Sequence, residues 1–129
     1  MPSAAPYVLA IDLGTTGVKV AVVDAEARVR GAASESFRTH FTAEGAAEQD
    51  AEEWWRAIGR CSRAAVGAAG ESDTIAAVAV TAQYMSVVAI DARGVPLAPV
   101  VMWMDTRGGP LHPLRDDGDA FGLWIERHG

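Results

Sequence analysis

A short turn rich in glycine and threonine, set between two apolar runs, constrains the fold of this 129-residue chain most strongly. Residues 7–13 form a short, mostly apolar run and residues 18–24 a run rich in β-branched side chains, and both are typical of buried strands. The residues between them, Gly14-Thr15-Thr16-Gly17, are typical of a tight turn. The sequence therefore predicts a β-hairpin close to the N-terminus.

The sequence that follows predicts a mixed α/β domain. Residues 28–38 alternate weakly and predict a third strand, whereas residues 39–49 predict a loop. A helix is predicted over residues 50–69, with Asp50 as its N-cap, Glu53 completing a capping box and Gly70 ending it. The side chains expected to face the core, because they recur at helical spacing, are Trp54, Ile58, Cys61 and Ala65.

Residues 75–81 are predicted to form another buried strand. Because a helix precedes it, this strand should lie parallel to an earlier one through a right-handed crossover. Strands over 86–91 and 97–103, a turn over 91–94, an irregular stretch over 105–114 and a helix over 119–127 are also predicted. Three antiparallel strands followed by a helix and a parallel strand indicate the opening of a ribonuclease-H-like sheet.

We therefore expect an α/β fold whose mixed sheet is incomplete, with an uncovered edge and an exposed apolar face. Residues 1–6 are expected to form a flexible tail, and residues 7–129 part of one domain. The chain has a net charge of -6, from 11 basic and 17 acidic residues. It therefore lacks the basic face that nucleic-acid binding requires. A single cysteine, no signal-peptide pattern and no apolar run of roughly 20 residues lead us to expect a cytoplasmic protein without a membrane partner.

The turn has the composition of a phosphate-binding site. Gly14 and Gly17 allow backbone amides to approach phosphate oxygens closely, and the two threonines between them add hydroxyl and backbone donors. Asp12 would repel phosphate, so its expected role is to hold Mg²⁺, while Lys19 on the next strand could add a cation. From these residues alone an ordinary hairpin remains the alternative, and the spacing is not that of a Walker A loop.

Four segments, taken in order, resemble the FGGY carbohydrate kinases, which include xylulokinase, glycerol kinase, gluconokinase and ribulokinase. They are Ala10-Ile11-Asp12-Leu13-Gly14-Thr15-Thr16-Gly17-Val18-Lys19, Glu48-Gln49-Asp50 with Trp54-Trp55, Ala82-Gln83-Tyr84-Met85-Ser86, and Val101-Met102-Trp103-Met104-Asp105-Thr106-Arg107. The second is similar to the family's Glu-Gln-Asp-Pro…Trp-Trp segment and the fourth to its Trp-x-Asp-x-Arg segment. The third lies where xylulokinases carry Gly-Gln-Met-His-Gly.

The resemblance implies an actin-like ATPase fold and ATP-dependent phosphorylation of a small sugar or polyol, such as the ketose xylulose. Together with the chemistry of the turn, it predicts ATP and Mg²⁺ at Asp12, Gly14, Thr15, Thr16 and Lys19, with Asp12 at the metal. It places Gln83, Tyr84, Met85 and Trp103 at the sugar, with the Trp103 ring on the carbon skeleton. Asp105 and Arg107 would either hold that segment in place or reach a hydroxyl.

The sequence departs from the family's pattern at two positions, and two parts of the family's kinases would lie outside it. Met85 stands where xylulokinases have histidine, and a thioether cannot donate a hydrogen bond to a sugar hydroxyl, which puts xylulose in doubt. Ala51 replaces the common proline, a minor change. The family's catalytic aspartate and its second domain would lie beyond residue 129.

We therefore expect a kinase in the full-length parent, which could be a homodimer, and an inactive isolated chain. The alternatives are a non-catalytic nucleotide- or sugar-binding fragment and a different actin-like ATPase. The latter should lack the two sugar-side segments.

Overall fold

The computed structural model describes residues 6–70, 75–108 and 126. In chain order, the elements are β1 (Tyr7–Leu13), β2 (Gly17–Val23), β3 (Val29–Ser36), β4 (His40–Phe41), β5 (Ala47–Gln49), α1 (Ala51–Ala69), β6 (Ile75–Ala82) and β7 (Val100–Val101). The irregular stretch predicted for residues 105–114 is described only as far as residue 108. The helix predicted over 119–127 and the tail over 1–6 lie almost wholly outside the described residues.

The main sheet has four strands in the order β3-β2-β1-β6. Strand β1 pairs antiparallel with β2, so that Asp12 lies opposite Lys19. Strand β6 returns after α1 and pairs parallel with β1, which sets Thr81 beside Asp12. The predicted hairpin, third strand and parallel crossover are therefore confirmed.

Helix α1 packs on one face of this sheet. The side chains of Val18, Val20 and Val22 in β2 are buried against the helix, because alternate residues of a strand share a face. On the helix, Cys61 and Ala65 are buried as the periodicity predicts. The partly buried Ile58 packs against this cluster, and the partly buried Trp54 packs against a smaller second cluster around Ala47, Val100 and Met102.

Both ends of α1 follow their local signals. The Asp50 carboxylate accepts a hydrogen bond from the Glu52 amide at 2.8 Å, which satisfies one of the free donors of the first turn. Gly70 adopts the left-handed conformation, with φ at 71°, and its amide donates to the Val66 carbonyl. Within the described residues, Glu53 makes no reciprocal bond to Asp50, so the cap is a single bond rather than a full capping box.

The second, smaller sheet departs from prediction. The predicted loop over residues 39–49 contains β4 and β5, which form a hairpin closed by a Gly45 amide bond to the Thr42 carbonyl. Strand β7 then pairs with β5.

The strand predicted over 97–103 forms only in part, as β7, and the strand predicted over 86–91 is wrong, since only isolated antiparallel bridges form there, at Val87–Val101 and Ile90–Pro96. Pro96 and Pro99 have no amide hydrogen, so they interrupt a regular ladder.

Strand β6 is less covered than its apolar sequence predicts. Among the described strands its one neighbour is β1, and Val78 and Val80 are 59% and 65% exposed. The expected uncovered edge and exposed apolar face are therefore present in the described part of the chain, whereas the expected burial of this strand is wrong. No helix within the described residues combines the length and apolarity needed to cross a membrane.

Candidate functional site

The turn between β1 and β2 is fixed on the sheet by backbone bonds. The Gly14 amide donates to the Gly17 carbonyl at 2.9 Å and closes the turn. The Thr16 carbonyl accepts from the Phe37 amide at 2.9 Å, which ties the turn to the end of β3. A Cβ atom on Gly17 would lie 2.3 Å from the Glu35 carbonyl oxygen, so this position requires glycine.

The turn keeps donors for a ligand. Within the described residues, the amides of Thr15 and Thr16 donate to no protein acceptor. The Thr16 side chain is exposed. Two adjacent free amides at a glycine-flanked turn form the kind of concave donor set that binds phosphate oxygens. The residues present therefore fit the phosphates of a nucleotide.

Asp12 and Lys19 lie on the open face of the sheet. Both side chains are exposed, and they face each other across the β1–β2 ladder. They border an open groove of about 640 Å³ on the face that α1 leaves uncovered. In the described part of the chain, no charged partner lies within 4.0 Å of Asp12, so its carboxylate is available to a cation.

The same region of the described chain shows no cluster of three or more histidine, cysteine or acidic side chains. A single carboxylate fits Mg²⁺, which usually takes one or two protein carboxylates together with phosphate and water oxygens.

The segment after β6 lies directly beside the turn. The Gln83 amide donates to the Leu13 carbonyl at 2.8 Å and extends the parallel ladder by one residue. The Gln83 side-chain oxygen accepts from the Ser86 hydroxyl at 3.1 Å. Its Nε2 atom is buried and, among the described residues, has no hydrogen-bond partner. A buried amide donor of this kind is suited to an oxygen of a ligand or of water.

Trp103 joins this segment to the turn. Its backbone amide donates to the Ser86 hydroxyl at 3.3 Å, and its indole Nε1 donates to the Thr15 hydroxyl at 3.2 Å. The side chain is left partly open to solvent, with the residue 57% exposed. Two segments that are 88 residues apart in sequence therefore meet at Thr15.

With this geometry established, comparison with known proteins identifies the family. The model for the N-terminal domain of the FGGY family of carbohydrate kinases matches residues 7–116. The chain belongs to this family. The resemblance inferred from the four sequence segments is therefore confirmed.

Individual relatives agree with the family match. The chain is 36% identical over 116 residues to a glycerol kinase from Alcanivorax borkumensis, covering 88% of this chain and 23% of the relative. It is 39% identical over 103 residues to a glycerol kinase from Sinorhizobium fredii, covering 78% of the chain and 21% of the relative. The chain thus spans less than a quarter of the length of these relatives.

The fold is also found among solved structures. A xylulose kinase from Rhodospirillum rubrum is similar with a TM-score of 0.79 and 29% identity, covering 95% of this chain and 29% of that one. The predicted actin-like α/β fold with a mixed, incomplete sheet is confirmed.

In this FGGY domain, Asp105 and Arg107 form a clamp on β5. The Asp105 carboxylate accepts from the Ala47 amide at 3.0 Å and from the Arg107 guanidinium at 2.7 Å. Arg107 also bonds the Glu48 carboxylate at 2.6 Å. Of the two roles left open by the sequence, this geometry favours holding the Trp103 segment over reaching a hydroxyl.

The charges of the clamp reinforce each other. The hydrogen bonds from Arg107, and then from the Ala47 amide, hold the pKa of Asp105 well below its ordinary value. The carboxylates of Asp105 and Glu48 raise the pKa of Arg107 above its ordinary value. Both groups therefore keep their charges, and the clamp persists, at neutral pH.

Tyr84 and Met85 lie just beyond the end of β6, and they are 81% and 68% accessible to solvent. Met85 has a φ of 53°, in the left-handed region that residues with side chains seldom adopt. Such backbone geometry occurs at ligand-binding sites more often than elsewhere. The assignment of these two residues to the sugar site stays a prediction.

One polar residue of the site was not singled out from the sequence. Gln49 is 2% exposed, and its Nε2 atom donates to the Thr15 carbonyl at 2.8 Å. The sequence signal was its place in the Glu-Gln-Asp segment, which carried no assigned role.

Proposed function

We propose that the protein carrying this FGGY domain transfers the γ-phosphoryl group of ATP to a hydroxyl of a small sugar or polyol. The observation that carries this proposal is the 3.2 Å bond between the Trp103 indole and the Thr15 hydroxyl. It sets the segment expected to bind the sugar beside the turn expected to bind phosphate. Phosphoryl transfer depends largely on such positioning, together with charge neutralisation.

At the nucleotide, the amides of Thr15 and Thr16, which donate to no acceptor in the described part of the chain, would hold phosphate oxygens. Lys19 would add positive charge nearby. Asp12 would hold Mg²⁺, which when bound neutralises charge on the phosphates. This assignment is supported by the exposed carboxylate of Asp12 and by the absence of a charged partner for it within the described residues.

At the acceptor, the exposed ring of Trp103 would cover the carbon skeleton, and the Nε2 of Gln83, which has no partner among the described residues, would donate to a hydroxyl. Tyr84 and Met85 would line the same side. Met85 has no hydrogen-bond donor to offer a sugar hydroxyl, which counts against xylulose. We therefore propose the substrate class alone, a small sugar or polyol. Glycerol and xylulose are the first two acceptors to test, because the relatives include glycerol kinases and a xylulose kinase.

The domain division is also part of the proposal. We assign residues 1–6 to a short tail and residues 7–129 to part of one kinase domain. The isolated chain is expected to give no turnover, because the family resemblance assigns the catalytic base to a position beyond residue 129.

The test is a chimera in which this chain replaces the matching segment of the Sinorhizobium fredii glycerol kinase. A coupled ADP-release assay should show turnover that depends on an added polyol or sugar, and none with the isolated chain. The Asp12→Asn chimera is the matched control, because it keeps the shape of the side chain and removes its charge. The proposal would be contradicted by a folded chimera whose rate of ADP release does not increase with any added polyol or sugar.

A further inference from the structure

Gln49 is a fully buried polar side chain with three hydrogen bonds. Its Nε2 atom donates to the Thr15 carbonyl at 2.8 Å and to the Thr39 hydroxyl at 2.7 Å. Its Oε1 atom accepts from the Trp54 indole Nε1 at 2.7 Å. The residue is 2% exposed, so water does not compete for these bonds.

These bonds fix the orientation of the Gln49 amide. Reversing it would set its oxygen against the Thr15 carbonyl oxygen and its NH₂ group against the Trp54 indole N–H. Each contact would then pair two acceptors or two donors. Both N–H donors are used, so the side chain cannot turn away without leaving buried groups unpaired, each at a cost of about 1–3 kcal/mol.

The bond to Thr15 also fixes the direction of the next amide. The Thr15 carbonyl and the Thr16 N–H belong to one planar peptide group, and no cis peptide bond occurs in the described chain. In a trans peptide the two groups point in opposite directions. Because Gln49 draws the carbonyl inward, the Thr16 N–H points to the other side, away from the buried amide.

We propose that Gln49 is a positioning residue that aims the Thr16 amide at a phosphate of the nucleotide. This inference rests on the proposed function, since it assumes that the turn binds nucleotide phosphates. It gives a role to the Glu48-Gln49-Asp50 segment, which lies at the end of β5 and the start of α1. Gln49 touches no substrate and acts through the Thr15–Thr16 peptide.

The experiment titrates Mg-ATP into the ¹⁵N-labelled 129-residue chain and follows the Thr15 and Thr16 amides by NMR. Both resonances should shift saturably in the unmodified chain. Gln49→Met keeps the length of the side chain and removes its donors. We expect Mg-ATP to bind this variant about tenfold to a hundredfold more weakly, with a smaller shift at Thr16, because a misdirected N–H loses a hydrogen bond to a charged oxygen.

Two control variants separate positioning from a loss of stability. Trp54→Phe and Thr39→Val each remove a different partner of Gln49 and leave its bond to the Thr15 carbonyl in place. Both should lower the stability of the chain yet bind Mg-ATP as the unmodified chain does. If affinity falls in all three variants in proportion to stability, the role of Gln49 is structural and the inference is overturned.

A measurement on the unmodified chain covers the case in which Gln49→Met does not fold. The chain has two glutamines, Gln49 and Gln83, and no asparagine, so its side-chain NH₂ spectrum holds two pairs of signals. The Gln49 pair should exchange slowly with water, and exchange at the rate of a free amide would overturn the inference. Unchanged Mg-ATP binding by folded Gln49→Met would overturn the inference alone. An unmodified chain whose turn does not respond to Mg-ATP would overturn the assignment of the turn to nucleotide phosphates, and the inference with it.

Discussion

Replacing Gly31 by alanine should displace α1 from the sheet. Gly31 lies on β3 under the helix, and a Cβ atom there would be 2.2 Å from the Ala65 carbonyl oxygen and 2.6 Å from the Ala69 amide nitrogen. Ordinary van der Waals contact begins at 3.4 Å. The obstructing atoms belong to the helix backbone, which cannot rotate aside as a side chain does. The helix must therefore shift by about 1 Å.

The cost follows from the packing that this shift disturbs. Overpacking of a close-packed interior costs about 1–3 kcal/mol and occasionally more. Because the Cβ atom is fixed to the strand backbone and meets the helix backbone, neither side can rotate away, and we expect a value near the upper end, about 3 kcal/mol. For a chain of this length each kcal/mol corresponds to about 3–6 °C in Tm, so a fall of about 10 °C or more is expected.

Gly67→Ala is the matched control, since it makes the same substitution on the exposed side of the same helix. A Cβ atom at Gly67 meets nothing within 4 Å. Alanine is favoured over glycine inside a helix by about 0.5–1 kcal/mol, so this variant should be more stable than the unmodified chain.

Urea unfolding followed by circular dichroism and tryptophan fluorescence measures both variants. The expected result is a lower midpoint for Gly31→Ala and a higher one for Gly67→Ala. If Gly31→Ala were as stable as the unmodified chain, α1 would not be in backbone contact with β3. Since Gln49 directly precedes the cap of α1, a displaced helix should also weaken Mg-ATP binding, which NMR titration of the folded variant would detect.

Three further predictions concern the site. The pKa of Asp105 is lower in the folded chain than in the unfolded chain, where it is near 3.8. At pH values above 3.8 the ionised carboxylate therefore stabilises the fold. That stability is lost as the pH falls through the lower, folded pKa. The urea midpoint should therefore drop less between pH 5 and pH 2 in Asp105→Asn than in the unmodified chain. Equal drops would show that the ionised Asp105 carboxylate does not stabilise the fold. Thr15→Val and Trp103→Phe should be non-additive in Mg-ATP affinity by about 0.5–1.5 kcal/mol, as measured by a calorimetric double-mutant cycle. Strict additivity would mean that the indole–hydroxyl bond does not contribute. In the chimera, Asp12→Asn should lower kcat by about a hundredfold or more with unchanged circular dichroism, because the metal would lose its protein carboxylate. Undiminished turnover would remove Asp12 from the metal site.

The elements that sequence predicts best are those with strong local signals. Residues 7–13 are predicted as a strand and form β1, and the predicted helix begins and ends at its signalled caps, Asp50 and Gly70. A mostly apolar run of seven residues, or a helical pattern of nineteen, carries enough periodicity to define an element. Most of the mixed main sheet is therefore predictable from the sequence alone.

The second sheet could not be predicted because its strands are too short to show a period. Strands β4 and β7 have two residues each and β5 has three. They exist because tertiary pairing satisfies their backbone groups, and nothing in residues 39–49 signals that pairing. The exposure of Val78 and Val80 could not be predicted either, because an apolar strand has the same sequence pattern whether or not another element covers it.

For the site, sequence supplied the residues and the structure supplied their relations. The glycine and threonine content of the turn indicated phosphate binding, because that chemistry depends on local backbone geometry. The contact between Trp103 and Thr15 joins residues 88 positions apart, and no local pattern encodes it. The burial of Gln49 was equally invisible, because a glutamine between two acidic residues looks like a solvated position.

Strand β5 explains why two distant parts of the site share one geometry. Consecutive strand residues point to opposite faces, so Glu48 and Gln49 reach in opposite directions. Gln49 reaches the carbonyl of Thr15 in the turn, and Glu48 reaches the guanidinium of Arg107 in the Trp103 segment. The two segments are thus held by adjacent residues of one three-residue strand, and within the described chain their only direct bond to each other runs from Trp103 to Thr15. A shift of β5 would move both segments together, whereas a change confined to Trp103 would leave the turn held by Gln49.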